Sequence, residues 1–203
     1  IDDTETIKAL RKMMDGKEIL ITAPGKSILD EKEEIQEYIR QENPFIICVN
    51  SMPDYIVPDL LFISNQKRFH QIKKEYGMKN LPSPAVVTSN IDAGKSIKYI
   101  VNYSELTMSD TMISDNACLM LFNLLQKMGI DEIHVAGFDG YHTNVERNYY
   151  ARNLINNTDR EKLRQINKHI QKYMERIESH MQVHYLTESM YDRSRNDVQP
   201  IQE

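Results

Sequence analysis

The chain has 203 residues, of which 40% are hydrophobic and 27% are charged. This composition supports a folded α/β domain with an apolar core. The formal net charge of −5 gives no overall attraction to nucleic acid or to an anionic membrane, so neither is expected as a partner. No apolar run approaches the roughly 20 residues that span a bilayer, and no secretory leader pattern opens the chain.

The two cysteines, Cys48 and Cys118, both lie inside apolar runs. We expect buried free thiols in a reducing compartment, because a buried thiol behaves as a small hydrophobic group. A disulfide or a metal pair is the alternative. The chain opens with Ile1 instead of methionine, which indicates a processed protein or a domain of a longer one. We expect a cytoplasmic location, because the cytoplasm is a reducing compartment.

Alternating helical and strand patterns run through the chain. The first helix is expected over residues 3–15, with Asp2 and Glu5 spaced as a capping box, and Gly16 ends it. Apolar runs predict strands at 19–22, 45–49, 60–63, 85–88 and 133–136, with weaker candidates at 97–101 and 182–186. Helical periodicity predicts helices from Ile28 to Ile39, from near Asn65, from Asn116 to Met128, at 145–154 and at 159–179.

Strands that alternate with helices predict an α/β fold with a doubly wound, mainly parallel, Rossmann-like sheet and helices on both faces. The domain is expected to cover residues 17–190. A linker helix at 1–16 precedes it, and a polar, flexible tail at 191–203 follows it.

Small polar side chains follow four of the predicted strands. In a doubly wound sheet, ligands bind outside the carboxyl ends of the strands, so these residues are candidates for a binding site. They are Ser27, Asn50, Ser51, Ser64, Asn65, Ser89 and Asn90. At any single position the residue can instead be a helix cap. Their recurrence after successive strands favours a ligand-binding edge.

The loop after the first strand, Ala23–Ser27, predicts a phosphate-binding turn. Gly25 lets the backbone approach a ligand closely, and Ser27 begins a helix whose exposed amides and dipole favour an anion. Lys26 adds a positive charge. The loop has only one glycine, so it is neither a P-loop nor a dinucleotide fingerprint.

A second candidate cluster follows the strand at 133–136. Asp139 lies between two glycines, as a candidate acid or as a turn residue. Tyr141 and His142 follow it closely, and we take these three as candidate catalytic residues. Packing at an interface is the alternative for the tyrosine and the histidine. The positively charged residues at 67–70 are expected on a solvated helix face, and no side chains have the spacing of metal ligands.

The order of these motifs resembles the metal-independent bacterial sialyltransferases that use CMP-sialic acid, and the related pterin diphosphokinase-like domains. The similarity covers roughly residues 17–150. The segments 23–27, 62–69 and 136–141 also look like the C-terminal region of proteins whose N-terminal half is an aldolase barrel of the hydroxymethylglutaryl-lyase-like family. Those proteins belong to surface-polysaccharide gene sets and are often labelled hydroxy-oxovalerate aldolases.

The sialyltransferase resemblance implies a role for several residues. Gly25, Ser27, Asn50 and Asn65 would cradle a cytidine nucleotide, and Tyr141 would hold the leaving phosphate. That family has a histidine base further along the chain, and the corresponding stretch here, near 157–163, contains none. His142 or Asp139 would then serve, or the domain binds a nucleotide without this reaction.

The sequence hypothesis is therefore a domain that binds a nucleotide or nucleotide sugar. It would be glycosyltransferase-like, use a CMP-activated keto sugar and be covalently joined to an aldolase. Lys26, Ser64 and Asn116 complete the predicted nucleotide and phosphate site. One alternative is a non-catalytic module that senses a nucleotide or assembles the aldolase, and another is a diphosphokinase-like transferase. No cofactor is assigned beyond a cytidine nucleotide as substrate, and homo-oligomerisation stays open.

Overall fold

The structure, a computed structural model, describes residues 1–77, 80–155 and 158–196. Within that part of the chain, seven parallel strands form one sheet in the order β5-β4-β3-β2-β1-β6-β7. The strands are β1 Ile19–Thr22, β2 Phe45–Val49, β3 Leu60–Ile63, β4 Ala85–Thr88, β5 Tyr99–Val101, β6 Glu132–Ala136 and β7 Gln182–Tyr185. The predicted fold class is confirmed, and so are all five principal strands.

The sheet changes direction beside β1. From β1 the chain adds β2 to β5 on one side, and then crosses back to add β6 and β7 on the other side. Such a reversal leaves a crevice at the carboxyl ends of the two central strands, because the connecting segments diverge there. Here the crevice lies above β1 and β6.

Eight α-helices are present in the described residues. They are α1 Thr4–Met14, α2 Ser27–Asp30, α3 Lys32–Glu42, α4 Gln66–Tyr76, α5 Tyr103–Leu106, α6 Ala117–Lys127, α7 Arg160–Glu178 and α8 Arg193–Asn196. Helices α1, α6 and α7 pack on one face of the sheet, and α2, α3 and α4 pack on the other. Successive strand residues such as Leu20 and Ile21 therefore enter opposite cores, which explains why the strands are apolar without alternation.

Two helix predictions need correction. The single helix expected from Ile28 to Ile39 is two helices, which are separated at Glu31, where φ is −116° and ψ is 35°. The helix expected at 145–154 consists of two short 3-10 turns, Val145–Arg147 and Arg152–Leu154. The buried side chain of Asn148 accepts a hydrogen bond from the His142 amide and donates one to the His142 carbonyl oxygen. These side-chain bonds to the backbone compete with the regular hydrogen bonds of an α-helix.

The described segments that precede and follow the predicted domain both contribute residues to its core. Leu10 and Met14 of α1 belong to the core, so this helix is more than a linker. The predicted capping box is absent, because Asp3 is the N-cap and Asp2 accepts a hydrogen bond from the Thr4 amide. Tyr191 is 1% exposed, which corrects the expectation of a frayed tail from that residue onwards. The rest of that expectation, from residue 197, lies outside the described residues.

Cys48 and Cys118 are buried free thiols, as predicted. Burial raises the pKa of each to about 12, so both stay protonated. No helix in the described ranges is both long and apolar enough to cross a membrane.

A buried carboxylate fastens α1 to the domain, and its loss should destabilise the fold. Asp3 accepts hydrogen bonds from the Asn102 amide at 2.8 Å and from Lys127 Nζ at 3.1 Å. Asp3→Ala should lower the free energy of unfolding in urea by about 1.5–3 kcal/mol, because the Asn102 amide loses its charged acceptor. The control, Glu5→Ala, breaks only the exposed pair with Lys8 and should cost less than about 1 kcal/mol. Equal losses would contradict the role of Asp3.

Candidate functional site

A cavity of about 270 Å³ lies at the carboxyl edge of the sheet, where β1, β2, β3 and β6 end. Three residues were predicted as catalytic and seven as the nucleotide and phosphate site, and seven of these ten line the cavity. They are Gly25, Asn50, Ser64, Asn65, Asn116, Asp139 and Tyr141. The three others, Lys26, Ser27 and His142, do not line it. Ser89, which follows β4, has a structural role, because its Oγ accepts a hydrogen bond from the Tyr103 amide.

One wall of the cavity is a junction between the loops after β1 and β6. The Ala23 amide donates to Ala136 O and the Gly25 amide to Gly137 O, each at 2.8 Å, so the pairing of the strands continues past their ends. A Cβ on Gly25 would lie 2.3 Å from Gly137 O, and one on Gly137 would lie 2.2 Å from Ala23 O. Because these distances are far below a van der Waals contact, only glycine fits at either position. At Gly137 the φ of +74° is a second reason, since it favours glycine.

The same junction corrects the predicted phosphate-binding loop. Ser27 donates from its amide to Asp139 Oδ2 at 2.9 Å and from its hydroxyl to Oδ1 at 2.5 Å. The protein's own carboxylate therefore takes the anion position at this turn. Lys26 points away and pairs with Asp30 at 2.5 Å on the surface. Gly25 has a different role from the predicted one: it admits another loop of the protein instead of a ligand.

Asp139 is held in this position by burial and by Ser27. Burial raises the pKa of Asp139, and the two hydrogen bonds from Ser27 oppose that rise. Thr187 Oγ1 accepts the Gly137 amide at 2.9 Å and is hydrogen-bonded to Ser27 Oγ at 2.8 Å. Both carboxylate oxygens of Asp139 accept hydrogen bonds from Ser27, so this carboxylate stabilises the contact between the two loops of the cavity wall.

Three asparagines on the cavity share one arrangement. Asn50 accepts the Ser64 amide, Asn65 accepts the amides of Lys67 and Arg68, and Asn116 accepts those of Cys118 and Leu119. Each uses its side-chain oxygen in these bonds. Each side-chain nitrogen makes no hydrogen bond with any described residue and remains as a donor. For Asn65 and Asn116, helix capping and a ligand-binding edge, which the sequence presented as alternatives, are therefore compatible in the same residue.

Arg68 is the residue that sequence reasoning assigned wrongly. It was expected on a solvated face, but only 8% of it is exposed and it lines the cavity. Its guanidinium donates to the carbonyl oxygens of Asn153 and Leu154 at 3.0 and 2.5 Å, and no described carboxylate pairs with it. The available signal was helical spacing, because Arg68 lies beside Phe69 and one turn before Ile72, both of which are buried.

The Gly-rich loop after β6 places Tyr141 on the cavity. Asn167 of α7 holds its backbone at both ends, because Asn167 Oδ1 accepts the Tyr141 amide and Asn167 Nδ2 donates to Tyr141 O. Burial, together with a hydrogen bond to Tyr149, raises the pKa of Tyr141 above its usual range, so the hydroxyl stays protonated. Burial lowers the pKa of His142, which is therefore neutral, but this histidine lies outside the cavity.

Comparisons with known proteins add no assignment: no protein-family model and no curated protein matches the chain.

The glycine junction generates a direct test of the cavity wall. Gly25→Val should lower the free energy of unfolding in urea by at least about 3 kcal/mol, because the added carbons meet backbone atoms that cannot move aside. Gly94 is the matched control, since a Cβ there meets no atom within 4 Å. Gly94→Ala should cost only about 1 kcal/mol for its left-handed backbone. A Gly25→Val protein as stable as the wild type would contradict the junction.

Proposed function

We propose that the cavity binds a nucleotide or a nucleotide sugar, with a phosphate beside Arg68. The observation that carries this proposal is the buried guanidinium, which lacks a carboxylate partner among the described residues. A buried charge without a counter-charge is unfavourable, and an anionic ligand would compensate it. Neutral carbonyl oxygens offset only part of this cost.

The other polar groups on the cavity support an oxygen-rich ligand. The side-chain nitrogens of Asn50, Asn65 and Asn116 are donors without a partner among the described residues, and the protonated hydroxyl of Tyr141, which is hydrogen-bonded to Tyr149, lies beside them on the cavity. The hydroxyl of Ser64 makes no hydrogen bond with the described residues, although only 6% of Ser64 is exposed. Phosphate and ribose oxygens would satisfy such a set of donors. The sialyltransferase resemblance favours a cytidine nucleotide among the candidates.

A transfer reaction would extend this binding function. The acceptor hydroxyl would lose its proton as its oxygen bonds to the anomeric carbon, and the bond from that carbon to the phosphate oxygen would break. The Tyr141 hydroxyl would stabilise the leaving phosphate. Asp115, a carboxylate that lines the cavity, is the candidate for the base that takes this proton.

The wider setting is part of the same proposal. A linked aldolase that makes a keto sugar acid and a domain that uses its activated form would act in sequence in polysaccharide synthesis, in the cytoplasm. The alternative is a non-catalytic module that senses a nucleotide for that aldolase, with or without homo-oligomerisation. A diphosphokinase-like reaction has less support, because Mg²⁺ is usually held by more than one carboxylate. Asp115 and Asp139 both line the cavity, but both oxygens of Asp139 bind Ser27.

Arg68→Met should separate phosphate binding from nucleoside binding. The variant keeps an apolar side chain of similar reach but loses the charge. We expect its calorimetric affinity for cytidine 5′-monophosphate to fall at least about tenfold, while its weaker affinity for cytidine stays nearly unchanged. Lys67→Met is the matched control, because Lys67 is the exposed neighbour on α4 and makes no contact with the cavity. Equal affinities of wild type and Arg68→Met for the monophosphate would refute the phosphate position.

Tyr141→Phe should distinguish transfer from sensing. The substitution removes the hydroxyl and keeps the ring. If the domain transfers a sugar, turnover of a CMP-activated keto sugar should fall by about tenfold to a thousandfold, with little change in nucleotide affinity. His142→Ala is the comparison, and it should keep turnover because His142 lies outside the cavity. Nucleotide binding without turnover in the wild-type domain and in an aldolase-linked protein would favour the sensing module.

A further inference from the structure

A second cavity, of about 380 Å³, lies beside the first. The two cavities share Asn50 and Leu154 as lining residues. The loop after β2, helix α4 and the segment at 150–154 form most of its walls. It therefore opens on the same carboxyl edge of the sheet as the proposed nucleotide cavity. A ligand in one cavity would be a close neighbour of a ligand in the other.

Three tyrosines line this second cavity, Tyr55, Tyr76 and Tyr150, and all are partly buried. Burial raises the pKa of Tyr55 and of Tyr150 to about 12, so their hydroxyls stay protonated. The Tyr55 hydroxyl donates to Ile28 O, which fixes the direction of its ring. Tyrosine rings offer flat apolar surface with polar groups at the rim, and this combination suits a ligand that is neither fully apolar nor charged.

The charged groups around the cavity narrow the class of ligand. Lys32 Nζ already lies 4.9 Å from the centre of the Tyr55 ring, so a cation of the protein uses that face. Asp54 and Glu75 add two carboxylates. Asp54 makes no hydrogen bond or ion pair with any described residue. Carboxylates repel an anionic ligand, and an unpaired one accepts hydrogen bonds from hydroxyl groups.

We propose that the second cavity binds an uncharged sugar ring. The C–H surface of the ring would pack on the tyrosines, and its hydroxyl groups would donate to Asp54. The position of the cavity, joined to the first through Asn50, makes this sugar the acceptor of the transfer described above. That acceptor role rests on the proposed function, whereas binding of the sugar does not.

Saturation-transfer NMR on the full chain tests the proposal with three uncharged probes, the methyl pyranosides of glucose, galactose and N-acetylglucosamine. At least one should receive saturation on its ring C–H protons, and the acid galacturonate should receive none. Asp54→Asn should weaken binding of that probe about tenfold, because a charged hydrogen-bond acceptor is lost. Tyr76→Leu should also weaken binding, and Tyr76→Phe should retain it. Glu146→Gln is the control, since Glu146 is an exposed carboxylate outside both cavities.

The outcomes separate this inference from the proposed function. If none of the three sugars binds, the sugar site is overturned, whatever the result with cytidine 5′-monophosphate. If a sugar binds with equal strength to the wild type, Asp54→Asn and Tyr76→Leu, the site lies elsewhere and the proposal fails. If a sugar binds here but the nucleotide does not bind the first cavity, the sugar site stands and the transfer function fails.

Discussion

The close approach of Gly25 and Gly137 is the constraint on which the candidate site depends. Two strands that are neighbours in the sheet continue to pair beyond their ends, because neither loop carries a side chain where they meet. This contact brings Ser27 within hydrogen-bonding distance of Asp139, and the carboxylate satisfies a helix-terminal amide and a buried hydroxyl together. The junction thereby forms one wall of the crevice above β1 and β6. The cavity extends from this wall to the ends of β2 and β3, at Asn50 and Asn65.

Much of the polar character of the cavity has a common physical origin in the capping of backbone groups. Asn65 and Asn116 satisfy the first amides of α4 and α6 with their side-chain oxygens. The amide group of asparagine has two chemically different ends, so each capped helix leaves a donor nitrogen at its end. Arg68, held in place by backbone carbonyl oxygens, adds a positive charge to these donors. These donors and this charge are the basis for the proposal that the cavity binds an acceptor-rich, anionic ligand.

The second cavity differs from the first in chemistry, although the two adjoin. Tyrosines and carboxylates line both cavities, but only the first has the guanidinium of Arg68, and the second has the unpaired carboxylate of Asp54. Electrostatics would then sort two ligands between them, with the anionic one at Arg68 and the neutral one near Asp54. The segment that contains Leu154 lines both cavities and accepts a hydrogen bond from Arg68. Arg68 therefore contacts the wall that the two cavities share.

The sequence by itself determined the features that depend on local pattern. Apolar runs located the strands, because a strand buried on both faces needs a continuous apolar run. The capping preference of asparagine placed Asn65 and Asn116 at the starts of helices. The tertiary structure alone decided contacts between distant segments. Asp139 lies 112 residues from Ser27, and Leu154 lies 86 residues from Arg68. The sequence predicted Lys26 in a phosphate-binding loop and Arg68 on a solvated helix face. Only the folded chain shows that Lys26 pairs with Asp30 at the surface while Arg68 is buried, because burial depends on which distant segment covers a residue.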